Sequence, residues 1–149
     1  SDIIAKLAEH ENIIGIKDAS NDLSRPRILK KLITNKHFYQ LSGEDETQLH
    51  FLSEGGDGVI SVTANIAPKF ISDLHRFWTE NKFKEAIEIN KKISELNRVL
   101  FIESNPCPVK FAAYKLGICK NEMRLPLTTI SENNQILINN IIKKLGLIF

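Results

Sequence analysis

Apolar residues recur at helical spacing from the first turn of the chain. Ile3, Ile4, Leu7 and Ala8 predict a short amphipathic helix over residues 2–10. Ile13-Ile14-Gly15-Ile16 is a short, β-branched apolar run, which suits a strand buried on both faces, with Lys17 at its carboxyl end. Asp18-Ala19-Ser20-Asn21-Asp22 has loop chemistry. Ser24 can cap the next helix and Pro26 falls in its first turn, with the apolar side running through Ile28, Leu29, Leu32 and Ile33. The pattern then repeats. Phe38 to Leu41 reads as a strand, Ser42 to Asp45 as a loop and cap, and Thr47 to Leu52 as a helix ended by Gly55-Gly56-Asp57-Gly58. Val59-Ile60-Ser61-Val62 reads as a third strand and Thr63-Ala64-Asn65 as a loop. Pro68 opens a helix through Ile71, Leu74 and Trp78.

Strand, short loop and helix, repeated about three times, predict an α/β fold with parallel strands over residues 1–80. Beyond residue 80 the strand signal stops, so residues 81–149 read as a helical region. Phe83, Ala86, Ile87, Asn90, Ile93, Leu96 and Leu100 trace one face of a long helix. Asn105-Pro106 reads as the cap and first turn of another helix, through Val109, Ala112, Ala113 and Leu116, with Gly117 as its stop. Ser131 can cap a last helix through Ile136, Leu137, Ile141 and Ile142. Three strands cannot close a parallel barrel, which needs eight and typically about 250 residues. Left open, they would expose an unpaired edge and apolar helix faces. The strand region therefore reads as a piece of something larger. A start inside a helix without Met agrees with a cut or incomplete chain.

The composition of the 149 residues adds limits. Hydrophobic residues make up 42% and charged residues 26%, as in ordinary globular proteins. A formal net charge of +2, with Lys and Glu scattered, gives no electrostatic case for a nucleic acid or membrane partner. No apolar run is long enough to span a bilayer, and the start has no signal-peptide pattern. Cys107 and Cys119 fit no zinc spacing and read as free packing thiols of a reducing cytosol. His10, His37, His50 and His75 are dispersed without ligand spacing, so no metal is expected.

Lys17 is the residue best placed for covalent chemistry. The carboxyl ends of strands face the active site in parallel α/β folds. An ammonium among apolar neighbours loses hydration and gives up its proton more readily. The neutral amine can attack a ketone or aldehyde, and the resulting imine is an electron sink that needs no cofactor. The other reading of Lys17 is a solvated lysine, or one paired with the adjacent Asp18. Gly43, just past Leu41-Ser42, allows a ligand close to the backbone or makes a tight turn. Ser61, Thr63 and Asn65 stand at and beyond another strand end, where capping competes with ligand contact. Gly55 to Gly58 precedes a strand rather than a helix and so is no phosphate loop. Glu44, Asp45 and Glu46 read as a charge bias on a first helical turn.

Gly15-Ile16-Lys17-Asp18-Ala19-Ser20 resembles the segment carrying the Schiff-base lysine of the dihydrodipicolinate synthase family. Leu41-Ser42-Gly43-Glu44-Asp45 resembles that family's next strand end. The run from Gly55 through Asn65 is similar to a long and distinctive family block. Glu103-Ser104-Asn105-Pro106-Cys107-Pro108-Val109-Lys110 and Arg124-Leu125-Pro126-Leu127 resemble its carboxy-terminal helical region. The likeness covers nearly the whole chain, in order and at consistent spacing.

The resemblance implies the carboxy-terminal portion of a (β/α)8 TIM barrel, about three βα units, followed by a helical extension. It implies a cytoplasmic lyase of lysine and diaminopimelate biosynthesis, assembled as a homotetramer, whose partners are pyruvate and aspartate 4-semialdehyde. The position matching Lys17 forms the imine with pyruvate, and those matching Gly43 and Ile60 line the pyruvate pocket. The family's relay tyrosines and threonine, and its carboxylate-holding arginine, belong upstream of Ser1. Neither Tyr39 nor Tyr114 takes such a place. The fragment alone is therefore expected to be inactive, needing self-association or a missing amino-terminal barrel half. A related pyruvate aldolase of the N-acetylneuraminate lyase kind, and a non-catalytic decayed fragment or helical interaction module, are the competing readings.

Overall fold

The strand region begins with helix α1 (Asp2–Ala8), followed by β1 (Gly15–Asp18), α2 (Arg25–Leu32), β2 (Tyr39–Ser42), α3 (Gln48–Ser53) and β3 (Gly58–Val59) in a computed structural model that describes residues 1–148. The strands pair in parallel in the order β1-β2-β3. Gly15 pairs with Tyr39, Lys17 with Leu41, and Leu41 with Gly58. Side chains alternate along a strand, so Gly15, Lys17, Tyr39, Leu41 and Gly58 share one face. Ile16, Asp18, Gln40, Ser42 and Val59 share the other. The second face is packed: Gln40 and Ser42 are buried, and the Gln40 amide donates to the Pro26 carbonyl of α2 at 3.1 Å. The first face is open, with Lys17 and Tyr39 exposed and Leu41 half-buried.

Several boundaries differ from the sequence reading. The first strand starts at Gly15, not Ile13. The Ile13 carbonyl is taken by the Lys36 ammonium at 2.7 Å, and Ile14 is exposed rather than buried on both faces. The third strand stops at Val59 instead of Val62. Ile60 N–H still donates to the Ser42 carbonyl at 2.8 Å, but Val62 already has helical dihedrals and opens a 3-10 turn, Thr63–Asn65. Ser24 does precede α2, yet its hydroxyl donates to Asp22 at 2.7 Å instead of capping the helix. Thr47 precedes α3, whose first turn carries no acidic residue; Asp45 is buried before it.

The chain divides into two compact units, Ser1–Ser61 and one starting at Val62. The second contains the 3-10 turn, α4 (Pro68–Thr79), α5 (Phe83–Val99), α6 (Cys107–Lys115) and α7 (Glu132–Lys144). The alternation of strands and helices counted α4 with the strands, whereas it packs on α5. Leu96, Leu100, Phe111, Ala112, Ile138 and Ile142 are buried in one apolar cluster. Phe83 and Ile87, expected on the buried stripe of α5, are partly exposed, and Phe83 meets the Trp78 ring edge-on at 4.8 Å. The carbonyl that accepts the first hydrogen bond of α6 belongs to Pro106, so Asn105 lies outside the helix it was expected to cap. Gly117, at φ +76°, ends α6 with two backbone bonds, Gly117 N–H to the Tyr114 carbonyl and Ile118 N–H to Ala113. That conformation favours glycine. At α7 Ser131 holds the cap position, yet its side chain makes no cap bond to the helix. Its N–H and hydroxyl both donate to Glu103 Oε1 at 2.9 Å, and Asn134 of the first turn adds a third bond at 2.7 Å. Among the described residues no helix is long and apolar enough to cross a membrane.

Candidate functional site

The ends of the three strands bring the candidate residues together. Lys17 is the third of four residues of β1, one short of the end at which the sequence placed it. Gly43 follows β2, and its N–H donates to the Asp18 carbonyl at 2.7 Å. Ile60 follows β3 and bonds to Ser42 in the same way. The parallel ladder thus continues past each strand and sets all three positions at the carboxyl end of one sheet.

Gly43 lies against the lysine itself. A Cβ at this position would stand 2.9 Å from Lys17 Cε and 2.8 Å from Ala19 Cβ. Neither separation is tolerated between carbon atoms, so only glycine leaves the Lys17 side chain its present path. Close approach, rather than a turn needing positive φ, is the reason for glycine here. Lys17 also lines an open groove of about 460 Å³ with Gly15, Ile16, Tyr39 and Leu41. The apolar enclosure expected around the amine is only half present. Leu41 and Ile60 supply carbon near the strand ends, but Ile60 is 48% exposed and Lys17 itself is exposed.

Asp18 is not the partner of Lys17, whose exposed side chain agrees with the solvated half of the other reading. The Asp18 side chain points to the packed face, where it is buried and accepts from Arg25 Nη1 at 3.1 Å on both oxygens. Ser20 N–H adds a bond at 2.9 Å. The neighbouring carboxylate is therefore committed to Arg25, and among the described residues Lys17 has no ion pair. Arg25 escaped the sequence reading. Its only signal is a basic residue at the first position of the helix after the lysine's loop.

A second link was also missed. The Ser61 hydroxyl donates to the Asp45 carboxylate, which ties the segment after β3 to the loop after β2. Asp45 was read as a first-turn charge, and it is a buried anchor instead. Thr63 and Asn65 have structural work: the Thr63 hydroxyl donates to Asn97 at 2.7 Å in the helical core, and the Asn65 amide donates to the Val62 carbonyl at 2.9 Å. Gly55, at φ +96°, ends α3, and Gly56 packs against the Phe51 ring. Cys107 is buried in the helical cluster, and Cys119 lies beside it. Among the described residues no group of three or more His, Cys, Asp or Glu is placed to hold a metal ion.

This arrangement can present a primary amine to a small carbonyl compound along an open sheet face, with backbone and glycine rather than bulk beside it. Of the groove residues other than Lys17, only Tyr39 carries a titratable side chain. A base for proton transfer must come from elsewhere.

Residues 1–145 match the dihydrodipicolinate synthetase family. A 4-hydroxy-tetrahydrodipicolinate synthase from Gluconacetobacter diazotrophicus is 42% identical over 145 residues, which are 97% of this chain and 49% of that protein. The crystal structure of dihydrodipicolinate synthase from Aquifex aeolicus is similar at a TM-score of 0.93 and 39% identity, covering 98% of this chain and 50% of that one. The chloride-inhibited enzyme from Acinetobacter baumannii, complexed with pyruvate, gives 0.91 and 41%, covering 99% and 50%. The chain spans about half the length of the relatives it matches.

Proposed function

The chain belongs to the dihydrodipicolinate synthetase family, and from that premise we propose that it is the carboxy-terminal half of a pyruvate-dependent Schiff-base lyase. In this reading the open face of the sheet is the inner wall of a (β/α)8 barrel, and residues upstream complete the barrel. The enzyme condenses pyruvate with aspartate 4-semialdehyde in diaminopimelate and lysine biosynthesis, as a cytoplasmic homo-oligomer.

The observation that carries the proposal is the meeting of Lys17 and Gly43 at the carboxyl end of parallel strands, with Ile60 at the end of the next one. The Lys17 amine adds to the carbonyl carbon of pyruvate, water leaves and a C=N bond forms. Loss of a methyl proton converts the imine to an enamine, whose carbon attacks the aldehyde. Cyclisation releases the product and returns Lys17 as an amine. Gly43 and Ile60 line the pyruvate pocket, and the bond from Ile60 N–H to the Ser42 carbonyl fixes the spacing between their strands.

Positioned proton transfer typically contributes about 10²–10⁴-fold, and among the described residues of the groove that Lys17 lines only Tyr39 carries another titratable side chain, at a place that matches no relay tyrosine of the family. The 149-residue chain alone is therefore expected to show little or no turnover. The test is to co-produce it with the amino-terminal half of the Aquifex aeolicus relative, purify the complex, add pyruvate and borohydride, and map the adduct by mass spectrometry. A reduced pyruvyl adduct on Lys17 is expected, lost in Lys17→Ala. A co-purified complex that takes no adduct, beside a full-length relative that does, would sink the reading.

A further inference from the structure

We propose that Asp45 is a positioning residue for the carbonyl substrate: through the Ser61 hydroxyl it fastens the segment that carries Ile60 to the loop that carries Gly43, and so sets the width of the pocket between them. The proposal rests on Lys17 being the imine-forming amine and on Gly43 and Ile60 being pocket walls.

The observation behind it is a carboxylate buried beside the strand ends. Asp45 is 1% exposed. Burying a carboxylate costs hydration, which an apolar residue of similar size would not. The backbone around it is firmly held. The side-chain amide of Gln48, itself fully buried at the start of α3, donates to the Asp45 carbonyl at 2.9 Å. Just before Asp45, the Ser42 hydroxyl accepts from the Glu44 N–H and donates to the Glu44 carbonyl, each at 3.1 Å. The loop after β2 is thus a rigid mount.

The segment after β3 is fastened to that mount. β3 is two residues long and ends at Val59, so Ile60 and Ser61 lie beyond the paired strand. Ile60 N–H reaches back to the Ser42 carbonyl at 2.8 Å, and the Ser61 hydroxyl donates to Asp45 Oδ1. With about half of the Ile60 side chain open to solvent, these two bonds on either side of it decide where it stands. Gly43 and Lys17 are set separately, by the Gly43 N–H bond to the Asp18 carbonyl at 2.7 Å and by the ladder between β1 and β2. Releasing the clasp therefore moves the Ile60 wall and leaves the amine in place.

The test uses the co-purified complex and measures the initial rate of borohydride-trapped adduct against pyruvate concentration. Ser61→Ala is expected to raise the half-saturating pyruvate concentration about tenfold. The rate at saturation is expected to stay within about twofold of the parent, because the amine is not displaced. Ser61→Thr keeps the hydroxyl and is expected to recover most of the parent affinity. Asp45→Asn keeps an acceptor oxygen but loses the charge that strengthens the bond, and a rise of about threefold is expected. Combined with Ser61→Ala it should add nothing, since both changes break one contact. A half-saturating concentration unchanged in Ser61→Ala, even with a lowered unfolding midpoint, would make the clasp structural only and overturn the proposal. So would effects that add in the double variant, or a saturating rate that falls while the half-saturating concentration stays put. Absence of any adduct in the parent complex would instead sink the assignment of Lys17, and this proposal with it.

Discussion

In the helical unit Leu96, Leu100, Ile138 and Ile142 are wholly buried, whereas in the strand unit Lys17, Tyr39 and Ile60 stand exposed along one side of the sheet. Both units are built from similar apolar residues, and they differ in where those residues find partners. The helices α5, α6 and α7 close their apolar sides on one another. The sheet closes only the side of Asp18, Gln40 and Ser42, through α2 and the loops. The candidate chemistry lies on the side left open. A sheet face without internal packing is open to a ligand or to further chain, and it is the face that carries the candidate amine of Lys17.

The largest expected effect would test that contrast directly. Leu96→Ala removes a fully buried side chain from the helical cluster and is expected to cost about 3 kcal/mol in urea denaturation. Ile60→Ala on the open face is expected to change stability by less than about 0.5 kcal/mol. Equal costs would mean that the open face is packed in solution, and the distinction between the units would fall.

Gly43→Ala should separate function from stability. The added methyl meets Lys17 Cε and Ala19 Cβ inside 3 Å, so one of them must move. In the complex with an amino-terminal half, the rate of pyruvyl adduct formation is expected to drop at least about tenfold through misplacement of the amine. The unfolding midpoint should fall less than that of Leu96→Ala. Unchanged trapping would show that the Lys17 path seen here is not the reactive one.

Much of this was legible in the sequence, for physical reasons that can be named residue by residue. Lys17 and Gly43 follow short apolar runs, and loop punctuation places them near strand ends, whereas Ile60 was read inside a strand and came forward only through the family resemblance. Gly117 marks a helix end because the positive φ there selects glycine. The missed features join residues across loops. Asp18 to Arg25 and Asp45 to Ser61 depend on loop paths that no periodicity encodes. The same limit explains the early end of β3: Val62 is a good strand former, yet it is drawn into the turn at Thr63–Asn65. Phe83 and Ile87 fit the apolar stripe of α5, but the buried face runs through Ala86, Ile93, Leu96 and Val99 and leaves these two at its margin. Propensity describes the segment, while tertiary contact decides its ends.

The smallest effect sharpens the helical side of the contrast, because it concerns an exposed polar clasp and not the core. Glu103 Oε1 receives the Ser131 N–H, the Ser131 hydroxyl and the Asn134 amide, so this carboxylate caps α7 from a distant loop. The Asn134 hydrogen bond, followed by those from Ser131, holds its carboxyl below the usual carboxylate range. A carboxyl whose folded value is lowered binds its proton more weakly folded than unfolded. Its contribution is therefore fully present above the unfolded value of about 4.3 and is lost as pH falls through the folded value. Glu103→Gln should lower Tm at pH 7 by less than Leu96→Ala does, and the difference from the parent should shrink steadily below about pH 4. Scanning calorimetry of both proteins between pH 3 and 7 measures it. A difference constant across that range would mean that the clasp works through shape alone, and that the charge of Glu103 contributes nothing to holding α7 in place.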